Sequence, residues 1–489
     1  MAGLASRKHP PLLRSTLIYA PAILFTRISA LLLLVIATRL IDQTEYGLLA
    51  LVVTVGELCD SALTSWLRIA LLRLGGKGEI SRGSLLLAAR VLVVAVLLGL
   101  VLSAGASFVV APERWVEFSV AVGVYLCVAA VSRFALTILQ MQQRHGTYSL
   151  LEFARAALQL VLPVAAIWIF HDSFLMVSLA SSLATLLAGI VALSVALRRV
   201  VPGASRFSYR ELLTLGVPLI AMAVIAFGLS SAERVLLKIY YDAGAVAVFA
   251  AAYALARQPI DTIANAINMG AFPEMVSRFD REGPEAAARY LSRQMGLMAQ
   301  LGFPIAALLI ALSHEIAELL LPVAYHGHVG ELFPLIALSI LFANFSNYVF
   351  VNVYHAHKRP WLLAITLTPG AIVTIGASLL LIPHHAAVGA ATALALGTAT
   401  TLVADILVSR RLTPVPIPWL DLGASALVAV ASGVAAWLGS SLAGDAWPIV
   451  KLGAGGTAGS LIFLALQSLL HPAETRALAS TVRAKLARA

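Results

Sequence analysis

Residues 37–51 read ATRLIDQTEYGLLAL, an apolar run broken by Arg39, Asp42, Gln43 and Glu45 before leucine returns. Such a break is either the polar rim of a helix pair in a soluble core or a turn outside a membrane. The flanking residues decide between the two. Leu17 to Ala37 carries a single charge, Arg27, over roughly the 20 residues that a bilayer-spanning helix needs. The whole chain is 60% hydrophobic and only 12% charged, whereas soluble domains carry about 25% charge. Comparable apolar windows recur along its 489 residues. The chain therefore reads as an all-α, polytopic membrane protein. Arg39 to Glu45 is a tight hairpin in water, with Tyr46 at the interface that aromatic rings prefer.

About fourteen transmembrane helices are expected from the length of the apolar windows. They run from 15–40 and 46–73 to 420–441 and 448–469. The seventh and eighth, 211–240 and 245–276, are long because Glu233–Arg234 and Arg257 interrupt apolar stretches without a turn signal. Ser6, Arg7, Lys8 and Arg14 precede a first segment too long for a signal h-region, so that helix is expected to be retained. Most of the 34 basic residues fall on one side of this map. They include Arg73, Lys77, Arg82, Arg198, Arg199, Arg206, Arg210, Lys358, Arg359 and the tail from Arg476 to Arg488. The opposite side holds Arg39, Arg114, Lys238 and Lys451. By the positive-inside rule both termini are expected to be cytoplasmic. The net charge of +10 is thus a topology signal and not a nucleic-acid footprint. Loops are short, His314 to Gly330 is an amphipathic surface segment, and Cys59 and Cys127 lie inside helices.

Two stretches echo each other. RLIDQTEYGLLAL, from Arg39, closes helix 1 and opens helix 2. KIYYDAGAVAVFAAAYAL, from Lys238, closes helix 7 and opens helix 8. A repeat six helices apart in the same orientation suggests two pseudo-symmetric six-helix lobes related about the membrane normal, though chance in a biased sequence is the alternative. The expected division is 1–205 for helices 1–6, 206–412 for helices 7–12, and 413–489 for helices 13–14 and a basic cytoplasmic tail.

These stretches, with LTILQMQQRHGTYSLLEFARAALQL and NAINMGAFPEMVSRF, resemble the polysaccharide transporter branch of the MOP superfamily. That branch contains oligosaccharide flippases and is related to lipid II flippases and multidrug exporters. The shared pattern is basic–acidic–Tyr–Gly after helix 1, a Gln-rich turn after helix 4 and an acidic–Arg pair late in helix 7. Glu233 stands where the family commonly has aspartate, and Ala247 where it commonly has glycine. The resemblance implies translocation of undecaprenyl-pyrophosphate-linked oligosaccharide to the periplasmic leaflet by alternating access, for O-antigen or exopolysaccharide. It implies no enzyme activity and functional contact with polysaccharide polymerase and assembly proteins.

Moving such a lipid requires cations in a wet cavity, polar groups for sugar hydroxyls and a lateral opening. Intramembrane charges are costly and mark cavities or partners. Arg27 in helix 1 and Arg257 in helix 8 form the candidate phosphate clamp, since guanidinium binds phosphate oxygens in bidentate fashion. The related lipid II flippases carry a matching helix 1 arginine. Arg234, Arg90 and Arg133 are further cavity candidates. Arg68, Arg90, Arg133 and Arg155 are equally placed to snorkel, and Arg155–Glu152 and Arg257–Asp261 have spacings for intrahelical pairs. Glu57, Asp60, Glu233 and Asp261 are candidate counter-ions or coupling carboxylates, which leaves proton or sodium coupling open. No cofactor is expected. The histidines at 326–328, 355–357 and 384–385 fall in expected loops without a third ligand, so no metal site is expected. A multidrug exporter of the same fold is the second reading. A membrane polymerase ranks third, for want of a large outside loop.

Overall fold

A computed structural model describes residues 11–74, 80–171 and 173–470, with side chains from Leu24 onward. The basic side chains of Arg7, Lys8, Arg14, Lys77, Arg476, Arg483, Lys485 and Arg488 lie outside the described residues. The chain divides into two compact units, Met1–Ala250 and Ala251–Ala489.

In the first unit, α1 (Pro11–Leu40) is followed by α2 (Gln43–Leu63), α3 (Ser65–Leu74), β1 (Ile80–Ser81) and α4 (Arg82–Val110). Next come α5 (Trp115–Met141), α6 (His145–Phe170), α7 (Phe174–Leu197), β2 (Val200–Val201), α8 (Tyr209–Ser230) and α9 (Ala232–Tyr240). The helix α10 (Ala243–Glu282) leads into the second unit. The turns obey local capping chemistry. Asp42 accepts from the amide of Thr44, Ser81 from Ser84 and Ser173 from Met176, each satisfying an otherwise orphaned donor at a helix start. Ser208 and Glu211 form a full capping box on α8.

The burial pattern is that of a protein dissolved in lipid. On α4, Val93, Val94, Leu97, Leu98, Val101 and Leu102 are all exposed along one face. The opposite face, through Ser84, Ala88, Leu92, Ala95, Gly99, Ser103 and Ser107, is buried and made mostly of small residues. Lipid offers no hydrophobic drive to bury leucine, so close packing of small side chains holds the helices together. Helix α5 packs on α2, α4 and α7, and α1 packs on α6.

The second unit contains α11 (Pro284–Ala311), α12 (Ser313–Leu320), α13 (Val323–Phe345), a π-helical turn at Ser346–Phe350 and α14 (Val351–Ala356). It ends with α15 (Leu362–Arg410), α16 (Trp419–Leu442) and α17 (Pro448–Leu470). Helix α15 is two helices joined at Ala386, whose φ of 44° and ψ of −125° are non-helical. Among the described residues, twelve helices are long and apolar enough to cross a membrane. Dividing α15 at its kink and adding the 30-residue α1 yields the fourteen spans expected. The chain is an all-α, multi-pass membrane protein.

Several local expectations change. The expected helices 46–73 and 211–240 are each broken, at Thr64 and at Ser231. Residues 314–330 form α12 and the first turns of α13, so His326 and His328 are helical. His384 and His385 likewise lie in α15, with ring centroids 6.5 Å apart. Tyr46 is buried inside the first unit and does not lie at a lipid interface.

Candidate functional site

Two polar stripes define a site in the first unit. On α5, Tyr125, Arg133, Thr137 and Gln140 recur at helical spacing. On α6, Tyr148, Glu152, Arg155 and Gln159 do the same. Residues three and four apart share a helix face, so each stripe presents polar groups to one side. With Arg68 of α3 and Thr185 of α7 they line a cavity of about 510 Å³. Small-molecule sites fall in this size range.

Charge is concentrated at one wall. Asp60 is fully buried and takes a bidentate grip from Arg68, with Nη1–Oδ1 and Nη2–Oδ2 both 2.9 Å. Arg133 adds a third contact, Nη1 to Oδ2 at 2.5 Å. The same guanidinium donates to both oxygens of Glu57, at 3.0 Å to Oε2, and Tyr125 donates its hydroxyl to Glu57. The break at Thr64 belongs to this cluster, because the Thr64 hydroxyl donates to the Asp60 carboxylate where α2 ends. A buried carboxylate is tolerated only when paired and hydrogen-bonded, and Asp60 meets that condition three times over.

The far wall is held separately. Arg155 pairs with Glu152 at 2.6 Å and donates to Gln159 Oε1 at 2.6 Å. Gln159 passes its own amide proton to Thr185 at 2.9 Å, which ties α6 to α7. Three guanidinium groups thus meet a lining rich in amides and hydroxyls, the combination that recognises anions and sugar hydroxyls.

Of the expected site residues, Arg133 lines this cavity, with Glu57 and Asp60 as its carboxylate partners. Arg27 is half-buried on α1, outside the lining, near the place where Phe25 stacks on Phe153 of α6 at 4.1 Å. Arg90 is exposed on α4. Arg234 lies in α9 with its Nε 3.9 Å from the fully buried Glu233. Arg257, in the second unit, pairs with Asp261 at 2.7 Å and reaches the Tyr253 hydroxyl at 3.2 Å. Sequence reasoning gave Arg68 to the membrane interface and left Arg155 open between snorkelling, a Glu152 pair and a cavity role, and both line the cavity. Their signal was present as the polar stripe on α6 and as the eight-residue spacing of Arg68 from Asp60.

A family profile described as "Polysaccharide biosynthesis protein" matches residues 12–279, and one described as "Lipid II flippase MurJ" matches residues 210–452. No curated protein sequence matches the chain. Among solved structures, the chain is similar to lipid II flippase MurJ in an inward closed conformation, with a TM-score of 0.71 at 12% identity. That alignment covers 93% of this chain and 99% of the other. It is also similar to a MOP superfamily transporter from Pyrococcus furiosus Vc1, with a TM-score of 0.50 at 15% identity over 82% and 94% of the two chains. At these identities the structures establish the fold, and the first profile, covering more than half of the chain, establishes kinship. The chain belongs to the family whose profile is described as "Polysaccharide biosynthesis protein".

Proposed function

We propose that the protein carries undecaprenyl-pyrophosphate-linked oligosaccharide from the cytoplasmic to the periplasmic leaflet of a bacterial inner membrane, for surface polysaccharide synthesis. The observation that carries this reading is the cavity among α3, α5, α6 and α7, where three arginines stand beside amides and hydroxyls between membrane-spanning helices. A hydrated, anionic head crossing hydrocarbon needs such a lining, while its polyprenyl tail stays in lipid. Arg27 and Arg257 are further candidate phosphate contacts.

The test is reconstitution in liposomes with a fluorescent lipid-linked oligosaccharide, scored by quencher access to the outer leaflet. Wild-type protein should expose the label, and Arg133→Ala and Arg27→Ala should each abolish exposure while reconstituting at normal levels. Arg257→Ala should be milder, because Asp261 already engages that side chain. Unchanged flipping by all three variants would overturn the proposal. Efflux of cationic dyes with no movement of the lipid would instead establish a drug exporter.

A further inference from the structure

The second unit buries a carboxyl group that the cavity does not use. Asp405, on the last turns of α15, is fully inaccessible, as are Tyr354 and Thr366, and Ser346 is nearly so. Its Oδ2 accepts from the Ser346 hydroxyl, and its Oδ1 lies 2.9 Å from the Tyr354 hydroxyl. The buried Thr366 is close by, its hydroxyl donating to the Leu363 carbonyl at 3.3 Å. Leu362, Val349, Phe350 and Leu402 belong to the apolar cluster in which Tyr354 sits. Among the described residues, no lysine, arginine or histidine forms an ion pair with Asp405.

We infer that Asp405 is a proton-binding site. The hydrogen count supports this. Tyr354 Oη is 2.9 Å from the carboxyl oxygen and 3.2 Å from the main-chain oxygen of Asp405, yet a phenol has one proton for both. With the carboxyl protonated, its O–H donates to Tyr354, and the phenol proton turns to the main-chain oxygen. Both contacts are then true hydrogen bonds. With the carboxyl ionised, one oxygen–oxygen contact lacks a proton, and a full charge sits buried beside neutral hydroxyls without an ion-pair partner. A buried charge of that kind is relieved by neutralisation. The proton comes from water and returns to it, and no other bond changes.

The surroundings tie this proton to an irregular stretch of helix. Ser346 opens the π-helical turn, and such turns inside α-helices often mark functional positions. The turn diverts the Tyr348 carbonyl to side chains: Asn352 donates to it at 2.6 Å and Gln294 at 3.0 Å. Other titratable groups on the packed elements are Tyr348 within the turn, His355 on α14, Arg410 beyond Asp405 on its own helix, and Glu285, Arg289, Tyr290 and Arg293 on α11, which packs on the turn. On α13, Glu331 is fifteen residues from Ser346, about 22 Å along the axis, and His326 and His328 are farther still. On α15, His384 and His385 are at the kink.

Infrared spectroscopy of the full-length protein in lipid, in ordinary and heavy water at neutral pH, tests the site. A carboxylic-acid carbonyl band should be present, shift in heavy water and disappear in Asp405→Asn. Tyr354→Phe, which keeps the carboxyl and removes only its phenol partner, should move the band to higher frequency. If Asp405→Asn instead removes a carboxylate band, or fails to fold while Tyr354→Phe leaves the acid band unmoved, the inference is overturned. A band that changes on adding sodium at constant pH also overturns it, in favour of a cation.

Discussion

Gly47 on α2 faces the backbone of Ala243 so closely that a Cβ built on it would stand 1.7 Å from the Ala243 carbonyl oxygen. The two echoing turns of the sequence therefore meet in the structure. Gln43 donates to the Gly244 carbonyl at 3.1 Å, and each turn caps its own helix with an aspartate. Asp42 accepts from the Thr44 amide at 2.8 Å and Asp242 from the Ala245 amide at 2.7 Å. Gly47→Val forces backbone against side chain, an overpacking that costs about 1–3 kcal/mol. Thermal unfolding in detergent should fall accordingly, and an unchanged midpoint would show that the turns part freely.

If transport requires these turns to separate, joining them should stop it. Cysteines at Asp42 and Asp242, bridged by a short bifunctional reagent, should yield a protein that folds but no longer flips lipid. Full activity after complete bridging removes rocking at this rim as the mechanism.

Arg68 and Arg133 share Asp60 but should fail differently. Arg68→Ala removes the bidentate partner of a fully buried carboxylate, a class of change that costs about 3–5 kcal/mol. Arg133→Ala leaves that grip in place, and Glu57, with a side chain 42% exposed, can take up water. Unfolding should therefore shift more for Arg68→Ala, while flipping is lost in both. Equal stability losses would mean that Arg133 is as structural as Arg68.

Orientation is testable without reference to cargo. Reporter fusions at Arg206 and Lys358 should read cytoplasmic, and fusions at Arg114 and Asp445 periplasmic. One reversed site breaks the fourteen-helix map.

How far the sequence could be read depended on the range of the interactions. Span number follows from apolar length, a local property, and so do the caps at Asp42 and Ser208. The breaks at Thr64 and Ser231 lack glycine or proline, and no local pattern announces them. Arg133 and Arg155 sit on polar stripes visible along α5 and α6, but which stripes face each other is a matter of packing. Arg68 read as an end residue because its partner, Asp60, lies across a helix break. Asp405 was out of reach, since Ser346 and Tyr354 come to it from more than fifty residues away.

The small parallel pair of β1 and β2 has a mechanical consequence. Ile80 pairs with Val200 and Ser81 with Val201, and the stitching continues past the strands. Gly83 donates to the Gly203 carbonyl at 2.9 Å, Ser81 to that of Ala204 at 2.7 Å, and the Arg206 amide to Ser84 at 2.9 Å. Only Phe207 and Ser208 remain before α8 begins at Tyr209. Two residues of extended chain reach about 7 Å. The start of α8 is thus riveted to the start of α4. It has the freedom of a door on its hinge pin, able to swing but not to slide, so any stroke must grow toward the Ser231 end.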